Sequence, residues 1–373
     1  MKDTILFGDC KETLSAFLPQ SARTCVTSPP YYGLRDYGTA TWIGGDPNCN
    51  HRRDSKVKAE NCNTGHKNHD EMAGVGDAIY KTVCPKCGAI RQDSQIGLEE
   101  TPEEYIESLV NVFRSVRDVL TDDGTLWVNL GDSYYNYRPG KGQSYPKQSV
   151  SKTKQDLPDE CNKRGNKLDG LKEKDLIGIP WLFAFAMRKD GWYLRQDIIW
   201  HKPNPMPESV RDRCTKSHEY IFLFSKNRKY FYDNEAIKEP AKDWGTRDRT
   251  NGKYHNTGTG LQPHSGLSKS YPTKNKRSVW SVTVKPYKEA HFATYPPDLI
   301  EPCILAGSEE GDTILDPFMG AGTTAAVAKS LNRYYIGCEL NEDYGNLIQK
   351  RIQDYQPVNK VAQEPCINIL DII

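Results

Sequence analysis

The stretch Asp316-Pro317-Phe318-Met319-Gly320-Ala321-Gly322-Thr323-Thr324 constrains this 373-residue chain more than any other. The apolar run Thr313-Ile314-Leu315 precedes it and a helix-forming segment, Ala325 to Leu331, follows, so the order is strand, glycine turn, helix start. Such a turn lets a ligand approach bare backbone where a side chain would block it. A second apolar run, Arg333 to Leu340, carries Glu339 near its end. In an open parallel sheet that acid sits at the carboxyl edge beside the turn, where it can accept hydrogen bonds from ribose hydroxyls. The pair points to a ligand containing a nucleoside.

The N-terminal portion repeats the pattern. Residues Thr4 to Asp9, Cys10 to Leu18 and Arg23 to Thr27 have the periodicity of strand, helix and strand, the unit a parallel sheet requires. The last strand leads into Thr27-Ser28-Pro29-Pro30-Tyr31-Tyr32-Gly33. Thr101-Pro102-Glu103-Glu104 is a capping box with proline at the first helical position. The helix it opens carries Ile106, Leu109, Val110, Phe113, Val116 and Leu120 on one face and stops at Asp122-Asp123-Gly124. Thr125 to Leu130 is then a buried strand, with Gly131-Asp132-Ser133-Tyr134 at its ligand edge. Ile179 to Met187 is a helix, Trp192 to Trp200 and Glu219 to Phe224 are strands, and Asp298 to Ala306 is a helix. His201 and Asn204, in the loop between those two strands, are candidates to touch a base or backbone, although its prolines explain the turn equally well.

The two motifs together, Ser28-Pro29-Pro30-Tyr31 early and the glycine motif about three hundred residues later, resemble the amino-group DNA methyltransferases that use S-adenosylmethionine. The order, tetrapeptide first and glycine motif last, is similar to that of the permuted beta class, and the resemblance runs from Ile5 to about Ile352. It implies an α/β fold with a doubly wound, mostly parallel, Rossmann-like sheet, and strands 192–200 and 219–224 at an antiparallel edge. It implies catalytic roles for Ser28, Pro29, Pro30 and Tyr31: the hydroxyl and the Pro29 carbonyl accept the two amine hydrogens, the prolines stiffen the backbone, and Tyr31 stacks on an extruded base. It implies that Asp9, with Cys10 beside it, meets the cofactor adenine, that Phe318 packs on that ring and that Glu339 holds the ribose. Asp316 and the segment containing Phe292 and Thr294 would meet the methionine end, and Gly320, Gly322, Thr323 and Thr324 would wrap the cofactor. For Asp9 a solvated turn aspartate is the competing reading. Serine rather than aspartate at the first tetrapeptide position favours N4 of cytosine over N6 of adenine. Methylation of an RNA or protein amine, and a non-catalytic zinc-dependent nucleic-acid-binding protein, are the rival functions.

Eleven cysteines without a secretory leader argue against a disulfide framework. Cys84-Pro85-Lys86-Cys87-Gly88 presents two thiolates to one metal, and Cys49 with His51 completes a tetrahedral set for one structural Zn2+, with Cys62, His66 and His69 as rival ligands. Net charge is only +1, but Arg138 to Lys174 holds ten basic and five acidic residues and Lys238 to Ala290 eleven and four. That unevenness suits a face toward double-stranded DNA on an otherwise acidic body. A mean hydropathy of -0.72, with no long apolar run, leaves no membrane span, and the expectation is a soluble cytoplasmic protein. The expected organisation is a catalytic half at 1–45 and 94–233, a zinc-knuckle insertion at 46–93, a target-recognition region at 234–290, a cofactor-binding half at 291–355 and a tail at 356–373. A cognate restriction endonuclease is a candidate partner. Neither the recognition sequence nor the oligomeric state is written in these patterns.

Overall fold

Thr101 starts the longest helix as its spacing predicts. Its hydroxyl accepts from the Glu104 N–H at 3.2 Å, and the Glu104 carboxylate accepts from the Thr101 N–H at 3.2 Å. Reciprocal caps of this kind contribute about 1 kcal/mol. A computed structural model of the chain describes residues 1–33, 39–51, 80, 83–135, 168, 170–241, 272–284 and 294–356. The N-terminal elements are β1 (Thr4–Phe7), α1 (Cys10–Thr13), β2 (Ala22–Thr27), β3 (Thr41–Ile43), β4 (Ile90–Gln92), α2 (Pro102–Val119) and β5 (Leu120–Leu130). Next come α3 (Ile179–Lys189), β6 (Tyr193–His201), β7 (His218–Ser225), β8 (Glu239–Pro240), β9 (Thr273–Lys274) and β10 (Val279–Ser281). The C-terminal part holds α4 (Pro297–Gly307), β11 (Thr313–Asp316), α5 (Thr323–Ser330), β12 (Tyr334–Glu339) and α6 (Gly345–Asp354).

Eight strands form one sheet in the order β1-β12-β11-β2-β5-β7-β6-β10. Among the described residues β7 alone runs against the others. Alternate residues of the strands feed two cores, as a two-sided sheet requires. Cys25, Leu126 and Leu315 pack with α1, α2 and α3, while Val26, Trp127 and Ile314 pack with α4, α5 and α6. From β2 the chain builds toward β5, and from β11 it builds through α5 toward β12. The neighbouring β2 and β11 therefore form the point where strand order reverses, and their outgoing loops part to leave a crevice.

Three local differences from the sequence expectations have physical causes. The segment read as one helix from Cys10 to Leu18 is a four-residue α1 followed by a 3-10 turn, Leu14–Ala16. Helix α2 ends at Val119, and β5 begins at Leu120 rather than Thr125, with a register shift opposite Ala22 and Thr24. Arg23 holds that irregular corner by pairing with both Asp123 and Asp312. Strands β6 and β7 are antiparallel as expected but do not form the edge. Beyond them lies β10, which pairs Trp280 with Trp200 in parallel, and the Trp200 indole donates to the Val282 carbonyl at 2.8 Å. Of the rest of the basic region, 242–271 and 285–290 lie outside the described residues, as do 136–167 and 357–373. No helix among the described residues is long and apolar enough to cross a membrane.

Candidate active site

The loop after β11 is built on a buried carboxylate. Asp316 Oδ1 accepts from the Thr27 hydroxyl at 2.6 Å and the Phe318 N–H at 3.0 Å, and Oδ2 accepts from the Thr324 hydroxyl at 2.5 Å and the Tyr295 hydroxyl at 3.1 Å. Burial pushes this carboxyl up, and the four donors pull against that shift. Asp316 thereby ties β2, α5 and the glycine turn together, with its acceptor positions taken by the protein; it does not line the cavity described below. Gly322 closes the turn at φ +80°, and a Cβ there would meet Ile348 Cγ2 at 2.8 Å, so only glycine lets α5 start against α6. Phe318 stands beside it, its ring 6.5 Å edge-on from Phe113 and its remaining surface on the cavity.

Glu339 ends β12 one strand over. Its two oxygens accept from the Gly320 N–H at 2.7 Å and the Asn341 N–H at 2.9 Å. Burial pushes it up to about 7 in spite of those donors. Asp9, at the end of β1, accepts from the Lys11 N–H at 2.9 Å and so caps α1, and it also lines the cavity. Capping α1 and lining the cavity are compatible in this one side chain. Cys10 lines the same wall, its thiol pushed up by burial.

The loop after β2 carries Ser28, Pro29, Pro30 and Tyr31. The Tyr105 hydroxyl donates to the Pro30 carbonyl at 2.7 Å, which pins the diproline to α2. The Ser28 hydroxyl donates to Asn129 Oδ1 over 3.4 Å, and the Asn129 amide is oriented by donating to Glu219 at 3.2 Å and to the Tyr220 carbonyl at 3.1 Å. With its proton turned to Asn129, Ser28 presents oxygen lone pairs to a donor. Tyr31 directs its hydroxyl to Glu219 Oε2 at 2.7 Å, and its ring lies so close to Gly131 that a Cβ there would sit 2.5 Å from Cε2. Burial, and then the Glu219 charge, push the phenol well up.

These two loops meet. Ser28, Pro29, Pro30 and Tyr31 share one cavity of about 650 Å³ with Asp9, Cys10, Thr294, Phe318, Gly320, Thr323 and Glu339. Gly322 and Thr324 stand behind its wall with Asp316, and Phe292 lies outside the described residues. Sequence reasoning missed the far wall: Lys202, Lys216, His218 and Glu219, with Asn129 between them and the diproline. Lys202 pairs with Glu219, and Lys216 donates to the Asp132 carbonyl at 3.0 Å. Burial lowers both Lys216 and His218, helped for His218 by the Lys216 charge. A signal for this wall existed. An acid at the start of an antiparallel strand lies at the same edge as acids that end parallel ones, and Glu219 opens the EYIFLF run. From the neighbouring loop Lys202, Glu208 and Lys216 line the cavity. His201 instead meets Ser281 at 3.0 Å, and Asn204 bonds to the backbone of Val284.

Away from this cavity, Cys49, His51, Cys84 and Cys87 have their ligand atoms within 4.8 Å of one another. Cys49 and Cys84 sulfurs are 3.8 Å apart, and the Cys87 sulfur is 3.6 Å from His51 Nδ1. Tetrahedral coordination with zinc–sulfur bonds of the usual length puts sulfurs about 3.8 Å apart. The Gly88 N–H donates to the Cys84 carbonyl at 2.7 Å, closing the knuckle, and the His51 ring stacks on Trp42 at 4.2 Å. Cys62, His66 and His69 lie outside the described residues.

Comparison with known proteins follows the same lines. A family model described as DNA methylase, of N6/N4 methyltransferase type, matches residues 22–350. Type II methyltransferase M.XycI of Xanthomonas campestris pv. cyanopsidis is 39% identical over 350 residues, 94% of this chain and 87% of that one. M.SmaI of Serratia marcescens is 39% identical over 353 residues, 93% of this chain and 90% of that one. In fold, the chain is similar to the PvuII DNA methyltransferase (cytosine-N4-specific), with a TM-score of 0.54 and 15% identity over 95% of this chain and 88% of that one.

Proposed function

The chain belongs to the family of DNA methylases directed at N4 or N6 amines, and from that premise we propose that it transfers a methyl group from S-adenosylmethionine to N4 of a cytosine drawn out of double-stranded DNA. The observation that carries this reading is the shared cavity: Ser28 and Phe318, far apart in sequence, face one space of about 650 Å³. When bound there, S-adenosylmethionine supplies an electrophilic methyl sulfonium. The exocyclic amine is a weak nucleophile because its lone pair is delocalised into the ring. Ser28 accepts one amine hydrogen with the lone pairs that Asn129 leaves facing the cavity, and the Pro29 carbonyl accepts the other, so charge developing on nitrogen is stabilised. Methyl transfer makes that nitrogen cationic and acidic, and its surplus proton leaves to solvent. Tyr31, held by Glu219, forms a wall of the base pocket, and the order of the two motifs is that of the permuted beta class.

Serine at the first tetrapeptide position supports cytosine, and mass spectrometry of nucleosides from DNA treated with the purified protein tests it. N4-methylcytosine is the expected product. N6-methyladenine would move the target to adenine, and methyl transfer to RNA or protein alone would overturn the reading. Residues 234–290 supply target recognition in this reading, and a restriction endonuclease cutting the same sequence is the matching partner.

Phe318, Asp9 and Glu339 line one end of the cavity, where they would hold the adenine ring, its amine and the ribose hydroxyls of the cofactor. With Glu339 raised to about 7, the cleft takes up a proton as pH falls through neutrality, which removes an acceptor from the ribose. Affinity for S-adenosylmethionine is therefore expected to rise from pH 6 to pH 8, by up to about tenfold. Fold stability has the opposite slope, because ionising a buried acid with a raised pKa disfavours the folded state as pH climbs from the ordinary glutamate value toward 7. Titration calorimetry at both pH values checks this, and Glu339→Gln should flatten the profile.

Cys49, His51, Cys84 and Cys87 fit one structural Zn2+, since their spacing matches tetrahedral coordination and the segment offers little apolar core. Atomic absorption is expected to find about one zinc per chain, reduced to background by Cys84→Ser with Cys87→Ser.

A further inference from the structure

The connection between β6 and β7 leaves one large apolar side chain in water. Met206 is 84% exposed, more than any other large hydrophobic side chain among the described residues. A single exposed methionine needs no explanation, but its setting does. Pro203, Pro205 and Pro207 alternate with Asn204 and Met206, and each proline fixes its own backbone φ. Asn204 grips the backbone of Val284 twice, donating to its carbonyl at 3.1 Å and accepting from its N–H at 2.9 Å. Lys202 on one side is paired with Glu219, and Glu208 on the other accepts from Arg213 at 2.5 Å. Lys202 and Glu208 both line the active-site cavity. The result is a stiff arch whose two feet stand on the cavity wall and which carries an exposed apolar side chain between them. Residues 202–217 are far more chain than joining two antiparallel strands requires.

We propose that this arch is a wedge for duplex DNA: Met206 enters the base stack and fills the space left when the target base is drawn toward Ser28. An amine paired inside a duplex is out of reach of Ser28, and extruding its base sacrifices stacking and pairing. Apolar side chains pushed between base steps, methionine and proline among them, are the known chemical means of holding a duplex open. Methionine suits an irregular gap because it is unbranched and polarizable. A braced arch loses little freedom on insertion, and the exposed Arg211 that follows is placed to meet phosphate. The wedge rests on the reading of the cavity as the site of an extruded base.

The test uses a duplex oligonucleotide containing the sequence that the wild-type protein methylates in unmethylated bacteriophage DNA. The target base is either normally paired or set opposite an abasic position, where extrusion is easier. Met206→Ala is expected to methylate the paired duplex about tenfold more slowly or worse, yet stay within about twofold of wild type on the abasic duplex. Met206→Leu should keep most of the paired rate, and S-adenosylmethionine affinity should be unchanged in both variants. With 2-aminopurine at the target position, the fluorescence rise on binding should shrink for the alanine variant alone. Equal rates for Met206→Ala and wild type on the paired duplex, or an equal loss on both probes, would overturn the wedge. Absence of methyl transfer by the wild-type protein to either probe would remove the base-extrusion reading itself, and the wedge with it.

Discussion

Ser28→Ala is expected to lower kcat by about 10²–10³-fold while the Kd for S-adenosylmethionine stays within about twofold of wild type. The size follows from chemistry at a single atom. Nitrogen in the exocyclic amine turns from trigonal to pyramidal as the methyl group arrives, and a hydroxyl oxygen held 3.4 Å from Asn129 is placed to accept the hydrogen that becomes acidic. Alanine removes that acceptor and leaves the Pro29 carbonyl alone. The end of the cavity proposed for the cofactor is built from other loops, those after β1, β11 and β12, so binding there has no reason to change. Single-turnover transfer of a tritiated methyl group measures the first quantity and titration calorimetry the second. Full activity in the alanine variant would remove Ser28 from the mechanism, and a parallel loss of cofactor affinity would make its role structural.

Asp316→Ala is expected to cost about 2–4 kcal/mol of folding stability and to abolish measurable cofactor binding. The carboxylate is wholly buried and receives donors from Thr27, Thr324, Tyr295 and the Phe318 backbone. Thr324 has a second acceptor in the Val26 carbonyl at 3.3 Å, and Tyr295 keeps its contact with Thr324. The Thr27 hydroxyl and the Phe318 N–H have no such second partner among the described residues, and the Phe318 N–H sets the course of the glycine turn. Asp316→Asn keeps the volume and one acceptor, so its loss should be smaller, about 1–2 kcal/mol. Urea denaturation followed by tryptophan fluorescence ranks the three proteins. An alanine variant as stable as wild type would show that the carboxylate is not the tie between β2 and β11.

The parts of the site that could be read in the sequence were those written in short, contiguous patterns. The glycine turn after Asp316, the Thr101 capping box and the diproline after Thr27 each carry their geometry within a few residues. The far wall did not, because Lys202, Lys216, His218 and Glu219 become neighbours only through the antiparallel pairing of β6 with β7. The ties that hold Asp316 are not legible in sequence either, because the residues that engage it, Thr27 and Tyr295, belong to other segments. The three residues of β10 are too few for a period of two to show, and its pairing of Trp280 with Trp200 joins segments 80 residues apart. Of the two sequence readings of Asn204, contact with a base or backbone and a turn held by prolines, its amide bonds to the backbone of Val284 match the second.

The hydrogen bond from Thr27 to Asp316 joins positions 289 residues apart. A ribosome releases the N-terminal strands long before it makes β11, so the nascent polypeptide can collapse around α2 and α3 without possessing a working centre. The cavity is therefore complete only when β11 pairs beside β2 and β12 fits between β11 and β1. Long-range parallel pairing of this sort is among the slower steps in folding. Docking of β11 and β12 thus completes the cavity, and a polypeptide released before residue 313 would carry Ser28 without Phe318 or Glu339 across from it.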